Sequence, residues 1–295
     1  MTAWIETYRG AVNPWECDIV EHFTVAYYFD RFGDATLALM DAFGVGPAHI
    51  KATRRACATV ACDVSYQREL RVGDVFHIES AITAVGNKTL KAGHRVINSV
   101  TGETITTLHQ TLVHFDVDAR KSLPFAADMR QRFEAAIVDW QAPDMPARPD
   151  SDDLDRFMPA YRDTTKPWEV DALGHIGFQF YVHRFSAAGG QLQAAMGLTP
   201  AFMREQRRGM STFEFQLQFF RELNAGELVA VRSAVTHLGG SSFCFLHKLV
   251  NLQTGEIAAS LSQFAVLLDL DARRPTRLPD AVREQAAPLV LVAPS

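Results

Sequence analysis

Residues 14–47 and 167–200 are two copies of one segment. They read PWECDIVEHFTVAYYFDRFGDATLALMDAFGVGP and PWEVDALGHIGFQFYVHRFSAAGGQLQAAMGLTP. Asp18 corresponds to Asp171, a shift of 153 positions (171 − 18). At that shift Pro14, Trp15, Glu16, His22, Tyr28, Phe32, Gly44 and Pro47 meet identical residues in the second copy. The register persists downstream: Arg68-Glu69-Leu70 meets Arg221-Glu222-Leu223, Thr101-Gly102-Glu103 meets Thr254-Gly255-Glu256, and Asp118-Ala119-Arg120 meets Asp271-Ala272-Arg273. A single shift kept over such a span marks an internal duplication. Two copies this long are too few for a solenoid, so they imply two domains or one pseudo-symmetric domain.

Each copy predicts a turn and then a long helix. Val25, Tyr28, Phe32, Ala35, Leu39 and Phe43 recur at helical spacing, as do Phe178, Tyr181, Phe185, Ala188, Leu192 and Met196. Such a stripe must be covered by another element. The rest of each copy alternates like strands. The spacing predicts strands over 3–12, 58–70, 75–85, 89–98 and 104–117, and again near 157–166, 211–223, 228–238, 242–252 and 256–270. Short turns join most of them, so the sheets are mostly antiparallel. Residues 125–140 fit an amphipathic helix, and 141–153, rich in Pro and Asp, fit a surface linker. The expected division is 1–140, a linker at 141–155, a second repeat at 156–278 and a tail at 279–295, the tail docking on the body.

Composition narrows the function. The chain has 295 residues and a net charge of −5, which argues against a broad nucleic-acid footprint. No apolar run is long enough for a membrane span, and the first residues lack a signal-peptide pattern. Cys17, Cys57, Cys62 and Cys244 show no metal-ligand spacing and read as reduced thiols, which fits a cytoplasmic protein. There is no G-x-S-x-G, HExxH, P-loop or G-x-G-x-x-G. The expectation is therefore no cofactor, no metal, no nucleic acid and no membrane partner.

One long apolar helix and a five-stranded antiparallel sheet pack simply if the sheet curls around the helix. D-x-x-G-H before the helix, an aromatic on it, R-E-L-x-x-G-D/E and a T-G-E hairpin together resemble the 4-hydroxybenzoyl-CoA thioesterase-like branch of the hotdog superfamily. The resemblance covers both repeats and implies an α+β tandem (double) hotdog of the acyl-thioesterase kind. It implies hydrolysis of an acyl-CoA or acyl-ACP thioester, a small-molecule partner, and a homo-oligomer built from the pseudo-dimeric chain. Two alternatives stay open: a non-catalytic acyl-CoA-binding protein, and a hotdog hydratase or dehydratase.

The resemblance implies that Asp171 is the base or nucleophile and that N–H groups near Phe178 bind the carbonyl oxygen. The physics agrees, because a helix N-terminus presents unpaired donors. Gly174 would let the acyl chain or backbone approach closely, and His175 would position the carboxylate or serve only the turn. Asp18 and His22 hold the same places in the first repeat, where Glu21 replaces Gly174. Either the first site is degenerate, the favoured reading, or Glu21 contributes a second carboxylate there. Asp171 read alone is also an ordinary acid near a helix start. Arg54-Arg55 and Arg207-Arg208 read either as contacts for CoA phosphates or as solvated loop charges. Tyr28 and Tyr181 read as core.

Overall fold

The computed structural model describes residues 4–18, 21–171 and 173–291. The chain separates into two units, 1–144 with 170–179, and 145–169 with 180–295. The segment 170–179 thus groups with the first unit although the duplication assigns it to the second repeat.

In the first unit, β1 (Ile5–Ala11) leads through a 3-10 turn at Pro14–Glu16 to α1 (Val25–Ala42) and a short α2 (Pro47–Thr53). Four long strands follow: β2 (Arg55–Tyr66), β3 (Val75–Val85), β4 (Thr89–Asn98) and β5 (Thr104–Asp116). A two-residue β6 (Lys121–Ser122) and α3 (Ala127–Glu134) complete it. The strand order is β1-β3-β4-β5-β2, antiparallel throughout, with β6 on β5. Tyr28, Phe29, Phe32, Ala35 and Leu39 of α1 are buried, as the helical stripe predicts. The end of α1 packs with Ile82, Leu90, Ala92 and Leu112 of the sheet and with Met129 and Phe133 of α3.

The second unit repeats this with β7 (Met158–Thr164), α4 (Phe178–Ala195), α5 (Pro200–Glu205), β8 (Arg208–Phe219), β9 (Leu228–Leu238), β10 (Ser242–Asn251) and β11 (Ile257–Asp269). A short β12 (Arg274–Pro275) and α6 (Asp280–Ala286) close it. Its order is β7-β9-β10-β11-β8, with β12 on β11. Leu192 and Met196 pack on Phe243, Phe245, Ala265 and Leu267.

The structure refines the sequence expectation at four places, and the short helix expected in the tail is present as α6. The loops expected before Arg54 and Arg207 contain the short helices α2 and α5; each starts on a proline, which suits a first helical turn. The helix expected over 125–140 is confined to Ala127–Glu134. The helix in the tail belongs to the duplication: Phe125, Met129 and Phe133 correspond to Leu278, Val282 and Ala286, and all six are buried. The linker is bound along its second half. Arg148 pairs with Glu214, and Asp150 and Asp152 hold the fully buried Lys248 ammonium at 2.6 and 2.9 Å. Leu291 donates its backbone N–H to Val235, and 292–295 lie outside the described residues.

Candidate active site

Each D-x-x-G/E-H stretch is a closed loop. In the second repeat, Asp171 N–H donates to the His175 carbonyl (2.8 Å) and Gly174 N–H to the Asp171 carbonyl (3.1 Å). In the first, Asp18 N–H donates to His22 and Glu21 N–H to Asp18, at 2.9 and 3.0 Å. This bonding is that of a three-residue hairpin loop whose last residue is left-handed. Gly174 has φ +89° and Glu21 φ +65°. The turn therefore accounts for Gly174 by itself: a side-chain carbon there would meet no atom within 4 Å, so no protein backbone crowds it. Glu21 holds the same conformation against the steric cost that a side chain brings.

The two aspartates are held differently. One Asp171 oxygen accepts from Leu173 N–H at 2.8 Å, and the other lies 3.5 Å from His175 Nδ1. The Asp171 side chain is 33% exposed and His175 17%. In the first repeat Asp18 accepts from His22 N–H at 3.0 Å, while the His22 ring turns to Glu69, 3.1 Å from Nε2. Glu69 also pairs with Arg71 at 3.0 Å. So the second loop presents an aspartate–histidine pair, and the first gives its histidine to another carboxylate. Ile19, Val20 and Ala172, the middle residues of these motifs, lie outside the described residues.

Asp171 sits seven residues before Phe178, the first residue of α4. The Phe178 ring meets Phe29 edge-on, with centroids 5.5 Å apart, and lies over Gly33 of α1. That seat anchors the start of α4.

Two buried ion pairs tie the loops to their helices, and the sequence reading missed both. Glu16 pairs with Arg31, and Glu169 with Arg184 at 2.8 Å. Arg184 is almost fully buried and also makes a two-pronged bond to Asp163 at 3.0 and 3.1 Å. Burial alone would lower the Arg184 pKa; its bonds to Asp163 and Glu169 outweigh that and raise it. An arginine on a helix normally reads as a solvent-facing charge; the signal was that both partners obey the shift of 153 (184 − 31 and 169 − 16).

The other expected residues have structural partners. Tyr28 and Tyr181 are buried, and the Tyr181 hydroxyl accepts from the N–H of the buried Leu223 at 3.1 Å. Arg54 and Arg207 both have positive φ and bond Asp118 and Asp271, at 3.1 and 2.9 Å. Arg208 bonds Asp269 at 2.7 Å, and Arg55 is exposed.

This is a chain of two hotdog repeats, each with an acidic loop ahead of its central helix. The thioesterase-like superfamily model matches residues 12–133 and 165–286, two stretches 153 apart (165 − 12). The chain belongs to that superfamily. It is similar to the betainyl-CoA thioesterase of Pseudomonas aeruginosa, at 26% identity over 135 residues, 46% of this chain and 85% of that protein. It is also similar to the L-carnitine dehydrogenase/betainyl-CoA thioesterase of Rhizobium meliloti, at 26% identity over 42% of this chain, but spans only 25% of that longer protein. Among solved structures, the 12:0-ACP thioesterase of Umbellularia californica matches with a TM-score of 0.69 at 17% identity, covering 91% of this chain and 93% of that one. An acyl-ACP thioesterase from Bacteroides thetaiotaomicron matches with a TM-score of 0.67 at 13% identity, covering 88% and 96%. At such identities the structural likeness speaks for the fold. Among the described residues no helix is long and apolar enough to cross a membrane.

Proposed function

We propose that the chain hydrolyses acyl-CoA thioesters at the second-repeat loop, with Asp171 as general base or nucleophile. The observation that carries this is the Asp171 carboxylate itself. One oxygen is fixed by a backbone N–H, the other faces His175, and the group is accessible just ahead of the α4 N-terminus. As a base, Asp171 takes a proton from water while the water oxygen adds to the thioester carbonyl. Backbone N–H groups at the start of α4, that of Phe178 among them, would stabilise the negative oxygen. The tetrahedral species collapses by breaking the C–S bond, and the proton passes to the departing thiolate. His175 orients the carboxylate. Asp18 is the idle counterpart in this reading, because Glu21 adds charge beside its loop where the second repeat has Gly174.

A CoA rather than ACP carrier is favoured because the curated relatives are named for a CoA ester. Arg207 and Arg208 would serve its phosphates only by exchanging their Asp271 and Asp269 partners. The test is a panel of acyl-CoAs incubated with the chain and a thiol reagent. Thiol release with at least one member is expected. Tight binding of acyl-CoA without release of thiol would make the protein an acyl-CoA binder instead.

A further inference from the structure

The linker closes the outer face of the second sheet, and the two repeats balance their charges on that face in different ways. Side chains of β10 alternate between faces. Phe243 and Phe245 pack with Leu192 of α4, so Cys244, Leu246 and Lys248 point to the outer side. All three are buried all the same, Lys248 completely. Leu246 lies in a cluster with Phe157 and Leu291, and the segment 146–152 covers the rest. The Pro146 carbonyl accepts from the Gln216 amide at 3.3 Å, and Arg148 pairs with Glu214 and lies over the Phe264 ring. Asp150 and Asp152 hold Lys248 at 2.6 and 2.9 Å. The segment thus runs from β8 across β11 to β10. Arg148 and Glu214 are also the charged neighbours of the Cys244 thiol.

The duplication shows why the linker is needed there. In the first repeat Arg95 of β4 stands opposite Glu79 of β3, and the two pair at 2.5 Å. The Arg95 guanidinium also stacks on Trp4, 3.9 Å from the ring centroid. The first sheet therefore neutralises its own cation. The shift of 153 turns Arg95 into Lys248 and Glu79 into Arg232. Arg232 stands opposite Lys248 in the ladder, so two like charges meet where the first repeat has an ion pair. The counter-charge comes from the linker instead.

The two ends of this contact are unlike. Lys248 is fully buried, whereas the Asp150 and Asp152 side chains are 54% and 79% exposed. A buried ammonium without a carboxylate is strongly disfavoured. The exposed acids lose little on release, because water rehydrates them. Closure therefore depends on carboxylates that solvent ions can reach. Residues 146–152 form no helix or strand, and β10 is already paired on both sides, with β9 and β11. Lifting the segment breaks no ladder bond. We propose that the linker is a releasable strap. Asp150 and Asp152 clamp it over the outer face of the second sheet, and loss or screening of those pairs lifts it and opens Lys248 and Cys244 to solvent while the sheet stays folded. The proposal is independent of the thioesterase reading.

The test reads Cys244 in the whole chain. Iodoacetamide is an uncharged thiol reagent, and peptide mass spectrometry separates modification of Cys244 from that of Cys17, Cys57 and Cys62. Hydrogen exchange of the β10 amides, followed in parallel, reports whether the sheet itself has opened. With Asp150→Ala and Asp152→Ala together, Cys244 should be alkylated at least about tenfold faster, because the buried ammonium has lost both partners. In the unaltered chain the rate should rise at least about threefold between low salt and about 1 M sodium chloride, where the Debye length is about 3 Å. Exchange of the β10 amides should stay the same in both cases. Asp144→Ala removes an exposed linker acid outside the clamp and should leave the rate unchanged. A Cys244 rate unmoved by the double substitution, or unmoved by salt, overturns the proposal. So does a rise matched by faster β10 exchange, which would mean unfolding of the sheet. An equal rise in Asp144→Ala would also overturn it, by making the effect one of general linker charge.

Discussion

Glu21 and Gly174 occupy one conformation at equivalent places, and only the glycine is suited to it. Glu21→Gly should therefore stabilise the protein by about 1 kcal/mol, because an L side chain in the left-handed region costs about 1–2 kcal/mol. Urea unfolding measures this, and a lowered midpoint would refute the strain assignment. The arginine pair gives a second residue-scale test. If Arg207 and Arg208 hold CoA phosphates, alanine at both raises KM and leaves kcat in place, since such binding is equal in ground and transition states. An unchanged KM leaves them wholly to Asp271 and Asp269. The sequence named the aspartates and histidines and read Gly174 as room for an approaching acyl chain or backbone, and the turn conformation adds a second reason for that glycine. A D-x-x-G-H string does not show that its glycine closes a hairpin loop.

Among elements, the helices depend on the Glu16–Arg31 and Glu169–Arg184 pairs for the placement of their loops. Arg184→Met should cost about 3–5 kcal/mol, the scale of a broken buried pair, because Glu169 and Asp163 then lose their shared cation. Chemical denaturation checks it, and a loss under about 1 kcal/mol would make the pair no better than a surface one. The strands carry a pH dependence. Burial pushes His94 down to about 3 and His247 to about 4, against an ordinary 6.5. The unfolded chain thus binds more protons than the folded one below pH 6.5. Stability is complete above that value and falls as pH drops toward 4, by up to about 1.4 kcal/mol per pH unit for each histidine. A melting temperature that stays flat between pH 7 and 4.5 would contradict the neutral buried assignment. Helices α1 and α4 and all the long strands were legible from apolar period. The short α2 was not, since it buries only Ile50 and so leaves no periodic trace. Buried polar side chains were invisible for the opposite reason: Arg184, His94 and Gln110 break the apolar pattern and read as surface.

For the whole molecule, duplication supplies two frames of equal architecture and unequal chemistry. The shared frame is visible in every strand and in the correspondence of α3 with α6. Around the acidic loops the copies diverge at Glu21 against Gly174, and on the central helices at Thr36 against Gly189. The proposed function places the reaction in the second copy, and the differences at the acidic loops are what it rests on. The most direct measurement is steady-state acyl-CoA hydrolysis by Asp171→Asn and Asp18→Asn, each shown by circular dichroism to be folded. Asp171→Asn should lower kcat at least about a hundredfold, as loss of a general base does, and Asp18→Asn should change it by less than about threefold. A crippled Asp18→Asn beside a fully active Asp171→Asn would contradict the account and move the chemistry to the first repeat.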